Sequence, residues 1–235
     1  MVSPQDNSGI GVLMRFRDKL ISERVHHIEA GKPSDRVDLL KALLEVRTPD
    51  NKPLDMEYIR AEILLVLLAG ADTTATAFQS MIQYLLTHKA AYTRMLEEID
   101  SAVAAGVLSD MPQYAEVKEH LPFYVACVRE TMRLCPSAPK ILPRHVSDPG
   151  LDLYGKFAPP WTEITSNPYI AHRDKELYGE DAEDFRPERC LDPERVKLYN
   201  KYNFGFGYGV RACLGKEIAT MELFNGPLQV GTWLC

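Results

Sequence analysis

The amino-acid sequence predicts a mainly α-helical protein with a minor β component. Helical patterns recur through the first 135 residues, and the longest of them runs from about residue 55 to residue 88. Residues 139–173 are instead rich in proline and in short extended runs, which supply the β component. A chain of 235 residues is long enough for one or two ordinary domains with a sizeable core.

The overall composition narrows the class of protein. Hydrophobic residues make up 46% of the chain and charged residues 26%, which is typical of a soluble globular protein. A net charge of −6 without a long basic run argues against a nucleic-acid partner. No signal peptide is visible and no apolar run reaches roughly 18 residues, so we expect no membrane anchor in this chain. The apolar run 63–71 is accordingly expected to be a buried helix.

Helices are expected in order along the chain. Residues 14–30 and 38–46 predict two scaffold helices that end at proline-containing breakers. The pattern over 55–88 predicts a helix roughly 50 Å long at 1.5 Å per residue. Residues 90–106 and 122–134 predict two further helices, the second ending just before a proline.

The middle of the longest helix has an unusual composition. The small residues 69–71 would let a flat group approach the helix closely, and Asp72 and Thr73 follow them directly. An acid and a hydroxyl side by side in an apolar helix form a candidate proton relay. The alternative is a core helix, bent at its glycine and threonines, with one solvated aspartate.

A glycine-rich loop over residues 206–215 carries the pattern F-G-x-G-x-R-x-C-x-G. Its three glycines allow a tight path with positive φ, along which backbone N–H groups can point at the sulfur of Cys213. Arg211 adds a nearby cation, and a predicted helix begins after Gly215, so its dipole favours an anion. These features favour a thiolate at Cys213.

Such a thiolate could be a nucleophile or a metal ligand. A nucleophile needs a base, and no histidine lies in the loop or in the twenty residues after it. A zinc site needs further ligands at short spacing, and the chain has no C-x-x-C. The single thiolate therefore points to haem iron with Cys213 as the axial ligand. The alternative is a lone cysteine that is simply buried.

The loop resembles the haem-binding loop of the cytochrome P450 family, the haem-thiolate monooxygenases. The A-G-x-D-T-T of residues 69–74 also matches that family's long central helix. The motifs follow in order from about residue 10 to residue 225 and correspond to the C-terminal half of a family member. The resemblance therefore implies a truncated cytochrome P450-like fold, with residues 1–235 as a single partial domain.

The resemblance also implies a cofactor and its contacts. The cofactor is haem b, iron protoporphyrin IX, with an axial thiolate from Cys213. Phe206 and Gly215 belong to its binding loop, and Arg144 and Arg211 stand where the family places contacts to the haem propionates. Asp72 and Thr73 would guide protons to iron-bound dioxygen and so favour O–O cleavage over release of peroxide.

A further motif, E-x-x-R, lies in the helix predicted over 122–134. Glu130 and Arg133 share one helix face at i and i+3, usually as a weak surface pair. By resemblance they bond Arg189 of a later P-E-R segment and form a structural network beneath the haem. His172 is expected to be a hydrogen-bonded structural histidine.

The function implied by the resemblance is a haem-thiolate monooxygenase that hydroxylates or otherwise oxidises a small hydrophobic organic substrate with dioxygen. The residues of these motifs are most similar to those of fungal members, which suggests a role in secondary metabolism. Two alternatives stay open: a haem-thiolate isomerase or dehydratase, and a non-catalytic truncated fragment. An electron-donating reductase would dock on the cysteine side, where basic residues cluster: Arg195, Lys197, Lys201, Arg211 and Lys216.

Because family members are about twice as long, we expect the full-length parent at the endoplasmic reticulum membrane, on the cytosolic face. This chain, without an anchor, would be cytoplasmic, and the apolar face of its long helix would lack a cover. Trp161 stands where a turn glycine is common, and Cys190 where a tryptophan is usual. The helix after the cysteine loop is expected to stop early, near Pro227.

Overall fold

The computed structural model divides the chain into two compact units, Met1–Asp72 and Thr73–Cys235, and the division falls inside one long helix. The structure describes residues 4–7, 9–32, 36–139 and 143–234, with side chains up to residue 229. Helices dominate the described residues and strands are few and short, which confirms the predicted fold class.

The first unit contains helices α1 (Ile10–Glu29) and α2 (Leu39–Glu45) and the first part of α3 (Met56–Thr87). Asp38 caps α2 by accepting a hydrogen bond from the backbone N–H of Lys41 at 2.9 Å. Its carboxylate also pairs with Arg24 at 2.7 Å, and this pair lowers the pKa of Asp38. The small core of this unit consists of Ile21, Leu40, Ile59 and Ile63.

The second unit is built around helix α6 (Pro122–Leu134), which is buried on nearly all its faces. It packs with α4 (Lys89–Ala104), α5 (Tyr114–His120) and α10 (Lys216–Leu234). Glu98 of α4 accepts the N–H groups of Phe123 and Tyr124 at 2.9 and 2.8 Å, so it satisfies two donors that a helix start leaves unpaired. The core also includes Ala77, Met81, Leu85, Met95, Cys127, Leu223 and Phe224.

The β component consists of two antiparallel pairs in the described residues. Strand β1 (Arg144–His145) pairs with β4 (Glu163–Ile164), and β2 (Leu151–Leu153) pairs with β3 (Lys156–Ala158). Both pairs lie within residues 139–173, where the sequence predicted short extended runs; residues 140–142 of that stretch lie outside the described residues. The β2–β3 hairpin was not predicted.

Three short helices and a 3-10 turn follow the strands, and the sequence patterns did not predict them. Each helix begins after a side chain whose oxygen accepts a hydrogen bond from a backbone N–H two residues later. The capping residues are Asn167 for α7 (Pro168–Ala171), Asp174 for α8 (Lys175–Tyr178) and Asp192 for α9 (Pro193–Lys201). The 3-10 turn spans Pro187–Cys190.

Helix α10 does not stop near Pro227, so that prediction was wrong. The helix continues through this proline to Leu234. Proline has no N–H for the carbonyl four residues earlier, which here belongs to Leu223. The hydroxyl of Tyr124 donates to that carbonyl at 3.0 Å and replaces the missing donor.

Helix α3 exposes much of its apolar surface, so the expectation of a buried helix over 63–71 was also wrong. Within this run Leu65 is 60% exposed and Val66 is 46% exposed. Among the described residues, α3 alone is long and apolar enough to cross a membrane by length and composition, with a mean hydropathy of 1.5. Core helices of soluble proteins meet the same two criteria.

Candidate functional site

A buried ion network joins three residues that the sequence singled out. Arg133 makes a bidentate pair with Glu130, Nε to Oε2 and Nη2 to Oε1, both at 2.8 Å. The Nε atom of Arg189 donates to the same Oε1 at 2.8 Å. Glu130 is fully buried and the two arginines are 5% and 2% exposed, so all three charges are held away from water.

Backbone carbonyls satisfy the remaining donors of this network. Arg133 Nη1 donates to the carbonyls of His172 and Ala182, both at 2.6 Å. Arg189 donates to the carbonyls of Tyr178 at 2.7 Å and Asp181 at 2.8 Å. A buried charge persists only when its partners are complete, so the network fastens α6 to the segment containing α8.

His172 is buried, at 1% exposure, and both of its ring nitrogens have backbone partners. Nδ1 lies 3.1 Å from the carbonyl oxygen of Arg133, and Nε2 accepts from the N–H of Phe204 at 2.9 Å. Burial lowers the pKa of His172 from 6.5 to about 4, and the neighbouring guanidinium groups of Arg133 and Arg173 act in the same direction. The ring is therefore neutral and structural.

The cysteine loop, residues 206–215, is closed by a backbone hydrogen bond from Cys213 N–H to the Phe206 carbonyl at 2.7 Å. Gly207 and Gly209 have φ values of 71° and 67°, which side chains rarely allow. The loop thus follows the tight path that its glycines permit.

Cys213 is a free, exposed thiol just before the start of α10. Cys127 and Cys190 are less accessible, and burial raises the pKa of each of these thiols to about 12, whereas Cys135 is a free and partly accessible thiol. Within the described residues, no group of three or more His, Cys, Asp or Glu side chains could hold a metal ion. A single accessible thiol fits haem, since the porphyrin supplies the equatorial ligands and the protein need supply only the axial one.

The remaining predicted cofactor contacts lie on separate elements. Phe206 is half-buried at the start of the cysteine loop, where its carbonyl accepts from Cys213. Arg211 is exposed in a second 3-10 turn, Gly209–Arg211. Arg144 is exposed in β1, with Nη1 3.0 Å from the carbonyl of Pro143. Both guanidinium groups are therefore on the surface, where an anionic group can reach them.

Asp72 and Thr73 are consecutive residues in the middle of α3, Asp72 exposed and Thr73 half-buried. The neighbouring Thr74 hydroxyl donates to the Glu222 carboxylate of α10 at 3.2 Å. Sequence reasoning missed Glu222, because a glutamate in an amphipathic helix has no signal of its own. This contact links the helix that follows Cys213 to the T-T pair of α3.

A family model for cytochrome P450 matches residues 9–226 of the chain. The chain belongs to the cytochrome P450 family. It is 36% identical to quiannulatic acid synthase of Emericella variicolor over 94% of its own length and 45% of that protein. It is also 36% identical to the cytochrome P450 monooxygenase gsfF of Penicillium aethiopicum, over 84% of this chain and 39% of that one.

A third relative is the cytochrome P450 monooxygenase mpaDE of Penicillium roqueforti, 36% identical over 92% of this chain and 25% of that protein. This P450 chain therefore spans less than half the length of the three relatives. All three come from fungi, in agreement with the fungal style of the motifs.

Proposed function

We propose that this P450 is a haem-thiolate monooxygenase, which uses dioxygen and an electron donor to oxidise a small hydrophobic organic molecule. Residues 1–235 would be the C-terminal, haem-binding half of a single P450 domain. The observation that supports this most is the exposed thiol of Cys213 on a glycine loop closed by the 2.7 Å Cys213–Phe206 hydrogen bond.

Haem b, when bound, would supply an iron for the activation of dioxygen, with a cysteine thiolate as its protein ligand. In this proposal Cys213 is that ligand. Phe206 and Gly215 shape the loop around it. Arg144 and Arg211 hold the propionates, because a guanidinium donates two parallel bonds to a carboxylate.

Asp72 and Thr73 would manage protons in this proposal. The exposed Asp72 carboxylate takes protons from water, and the Thr73 hydroxyl holds the proton that is passed on, which is general acid catalysis through a short relay. The network of Glu130, Arg133 and Arg189 is buried away from solvent and has a structural role only.

We place the reaction in fungal secondary metabolism and the full-length protein at the cytosolic face of the endoplasmic reticulum membrane. The fungal relatives support the place in secondary metabolism. The resemblance to the family supports the membrane location. The electron donor would be an acidic reductase surface, because four exposed basic side chains precede or follow the cysteine loop: Arg195, Lys197, Lys201 and Lys216.

The test is an absorption spectrum of the purified chain with haem, reduced and exposed to carbon monoxide. A strongly red-shifted Soret band is expected for thiolate ligation, and Cys213→Ala should abolish it. Cys135→Ala is the matched control, since Cys135 is also a free and partly accessible thiol. An unchanged band in Cys213→Ala would overturn the assignment of the ligand.

A non-catalytic fragment is the second candidate, favoured by the exposed apolar side chains of α3. Haem uptake with a thiolate band but without dioxygen consumption, given a reductase, would identify it. Product formation without dioxygen would instead indicate an isomerase or dehydratase.

A further inference from the structure

We propose that His172 is a positioning residue for Cys213, holding the cysteine loop at a fixed place relative to the buried ion network. The hydrogen bonds that support this inference do not depend on haem. Its consequence for haem binding rests on the proposed haem-thiolate function. Four hydrogen bonds carry it, all between described residues of the second unit.

The first two bonds fix the tautomer of His172. The backbone N–H of Phe204 can only donate, so Nε2, 2.9 Å away, must accept and carries no proton. A neutral imidazole then has its proton on Nδ1, which donates to the carbonyl of Arg133 at 3.1 Å. The backbone on both sides therefore selects one of the two neutral tautomers.

The next two bonds continue into the cysteine loop. The carbonyl of Phe204 accepts from the N–H of Gly207 at 2.9 Å, and the carbonyl of Phe206 accepts from the N–H of Cys213 at 2.7 Å. Position 204 is thus held by His172 on its N–H side and by the loop on its carbonyl side. The loss of the acceptor at Nε2 would therefore be transmitted to Cys213 through backbone hydrogen bonds alone.

The imidazole lies beside the backbone at Gly205. A Cβ at Gly205 would lie 3.8 Å from Cε1 of His172 and 3.1 Å from the Oδ1 of Asn203. That Asn203 oxygen already accepts from the N–H of Gly205 at 2.8 Å. The tight approach at Gly205 is therefore to the Asn203 side chain, whereas a Cβ there would meet the ring only at ordinary van der Waals distance.

The other side of the ring is anchored in the ion network. Arg133 and His172 exchange two bonds, Arg133 Nη1 to the His172 carbonyl at 2.6 Å and His172 Nδ1 to the Arg133 carbonyl. Arg133 is in turn paired with Glu130 on α6. His172 is thus the side chain that connects this network to the chain just before the cysteine loop.

Two substitutions test the two hydrogen bonds of the His172 ring one at a time. Glutamine can place its amide oxygen near the position of Nε2 and keep an acceptor for Phe204, whereas it loses the donor to Arg133. Asparagine is one methylene shorter, so it keeps a donor near the position of Nδ1 and leaves the Phe204 N–H without a partner. His172→Gln and His172→Asn therefore each remove one hydrogen bond and differ in which one.

The experiment is hydrogen exchange of the haem-free 235-residue chain, followed by mass spectrometry on peptides that cover residues 204–213 and helix α6. In His172→Asn we expect exchange of the 204–213 peptide to be about tenfold faster, the factor for one lost hydrogen bond. In His172→Gln it should stay within about threefold of the unsubstituted chain. Equal acceleration in both variants, or in neither, would overturn the proposal.

Two further measurements keep the proposal testable where the variants unfold. The 15N chemical shifts of the His172 ring in the unsubstituted chain should show the proton on Nδ1, and a proton on Nε2 would overturn it. With haem added, His172→Asn should convert part of the thiolate band to a thiol-type band. Absence of the thiolate band in the unsubstituted chain would contradict the haem assignment alone, since the exchange result does not involve haem.

Discussion

The Nε atom of Arg189 lies 2.8 Å from Oε1 of Glu130, across 59 residues of sequence, and neither side chain is exposed. The same oxygen accepts from Nη2 of Arg133 at 2.8 Å and from the backbone N–H of Arg186 at 3.0 Å. One carboxylate thus holds two guanidinium groups and a main-chain amide. Its charge compensates cations that have no water around them.

Glu130→Gln should therefore be severely destabilising. The substitution leaves two buried guanidinium groups facing a neutral amide, and we expect the free energy of unfolding to fall by about 3–5 kcal/mol in urea titration. Glu188→Gln is the control, because Glu188 pairs with Arg94 at 2.9 Å on the surface. That variant should lose less than about 1 kcal/mol. Similar losses in the two variants would contradict a structural network at Glu130.

The stability of the chain should decline in mild acid because of His172. Its pKa is lowered to about 4 in the folded chain and is near 6.5 when unfolded, so the unfolded state binds the proton first. The contribution is fully present above pH 6.5 and is lost as the pH falls toward 4. Between these limits we expect a loss of about 3 kcal/mol, from roughly 1.4 kcal/mol per pKa unit.

The measurement is urea unfolding of the unsubstituted chain and of His172→Gln across this pH range. Glutamine does not titrate, so the difference in stability between the two proteins should shrink as the pH falls. Parallel curves would show that His172 is protonated in the folded chain as well.

Trp161→Gly should stabilise the chain. Trp161 has a φ of 67° and is 75% exposed. It is the third residue of a turn in which the N–H of Thr162 donates to the carbonyl of Pro159 at 3.2 Å, the position where glycine is preferred. Relief of roughly 1–2 kcal/mol of backbone strain is partly offset by the entropy of glycine in the unfolded chain.

We expect a net gain of about 0.5–1 kcal/mol in thermal or urea unfolding for Trp161→Gly. Trp161→Ala is the matched control, because it removes the same ring but keeps a Cβ at positive φ. It should give no gain. Equal stability of the alanine and glycine variants would place the effect in the ring rather than in the backbone.

In the proposed full-length monooxygenase, Thr73→Ala should reduce the amount of product formed per dioxygen consumed by roughly tenfold or more, because the proposed proton donor is lost. The carbon monoxide spectrum should be unchanged, since Cys213 is untouched. Thr87→Ala is the control on the same helix, as the Thr87 hydroxyl bonds the carbonyl of Gln83 at 2.8 Å. Unchanged coupling in Thr73→Ala would exclude it from the proton relay.

The long elements were predictable because their patterns are long. The predicted helices over 55–88 and 122–134 correspond to α3 and α6 within one residue or two at each end. Positive φ at Gly207 and Gly209 followed from the glycine spacing alone. The family resemblance implied the three residues of the ion network, although only the structure gives their carbonyl partners.

The short elements were not predictable for a physical reason. Helices α7 and α8 have four residues each, too few for an apolar period, and their caps are the only local signal. The continuation of α10 past Pro227 depends on the Tyr124 hydroxyl, about a hundred residues away in sequence. The burial expected over residues 63–71 was wrong because composition does not show which face of a helix has a partner.

Helix α10 can approach α3 closely at Gly226, because glycine has only a hydrogen atom in place of a side chain. A Cβ at Gly226 would lie 2.9 Å from the Phe78 ring of α3, closer than side chains tolerate. Gly226 is ten residues into a helix that begins directly after the cysteine loop, hence about 15 Å along its axis. A larger residue at 226 would require the Phe78 ring or α10 itself to shift, so the packing of the helix that follows Cys213 depends on a position about three helical turns from its start.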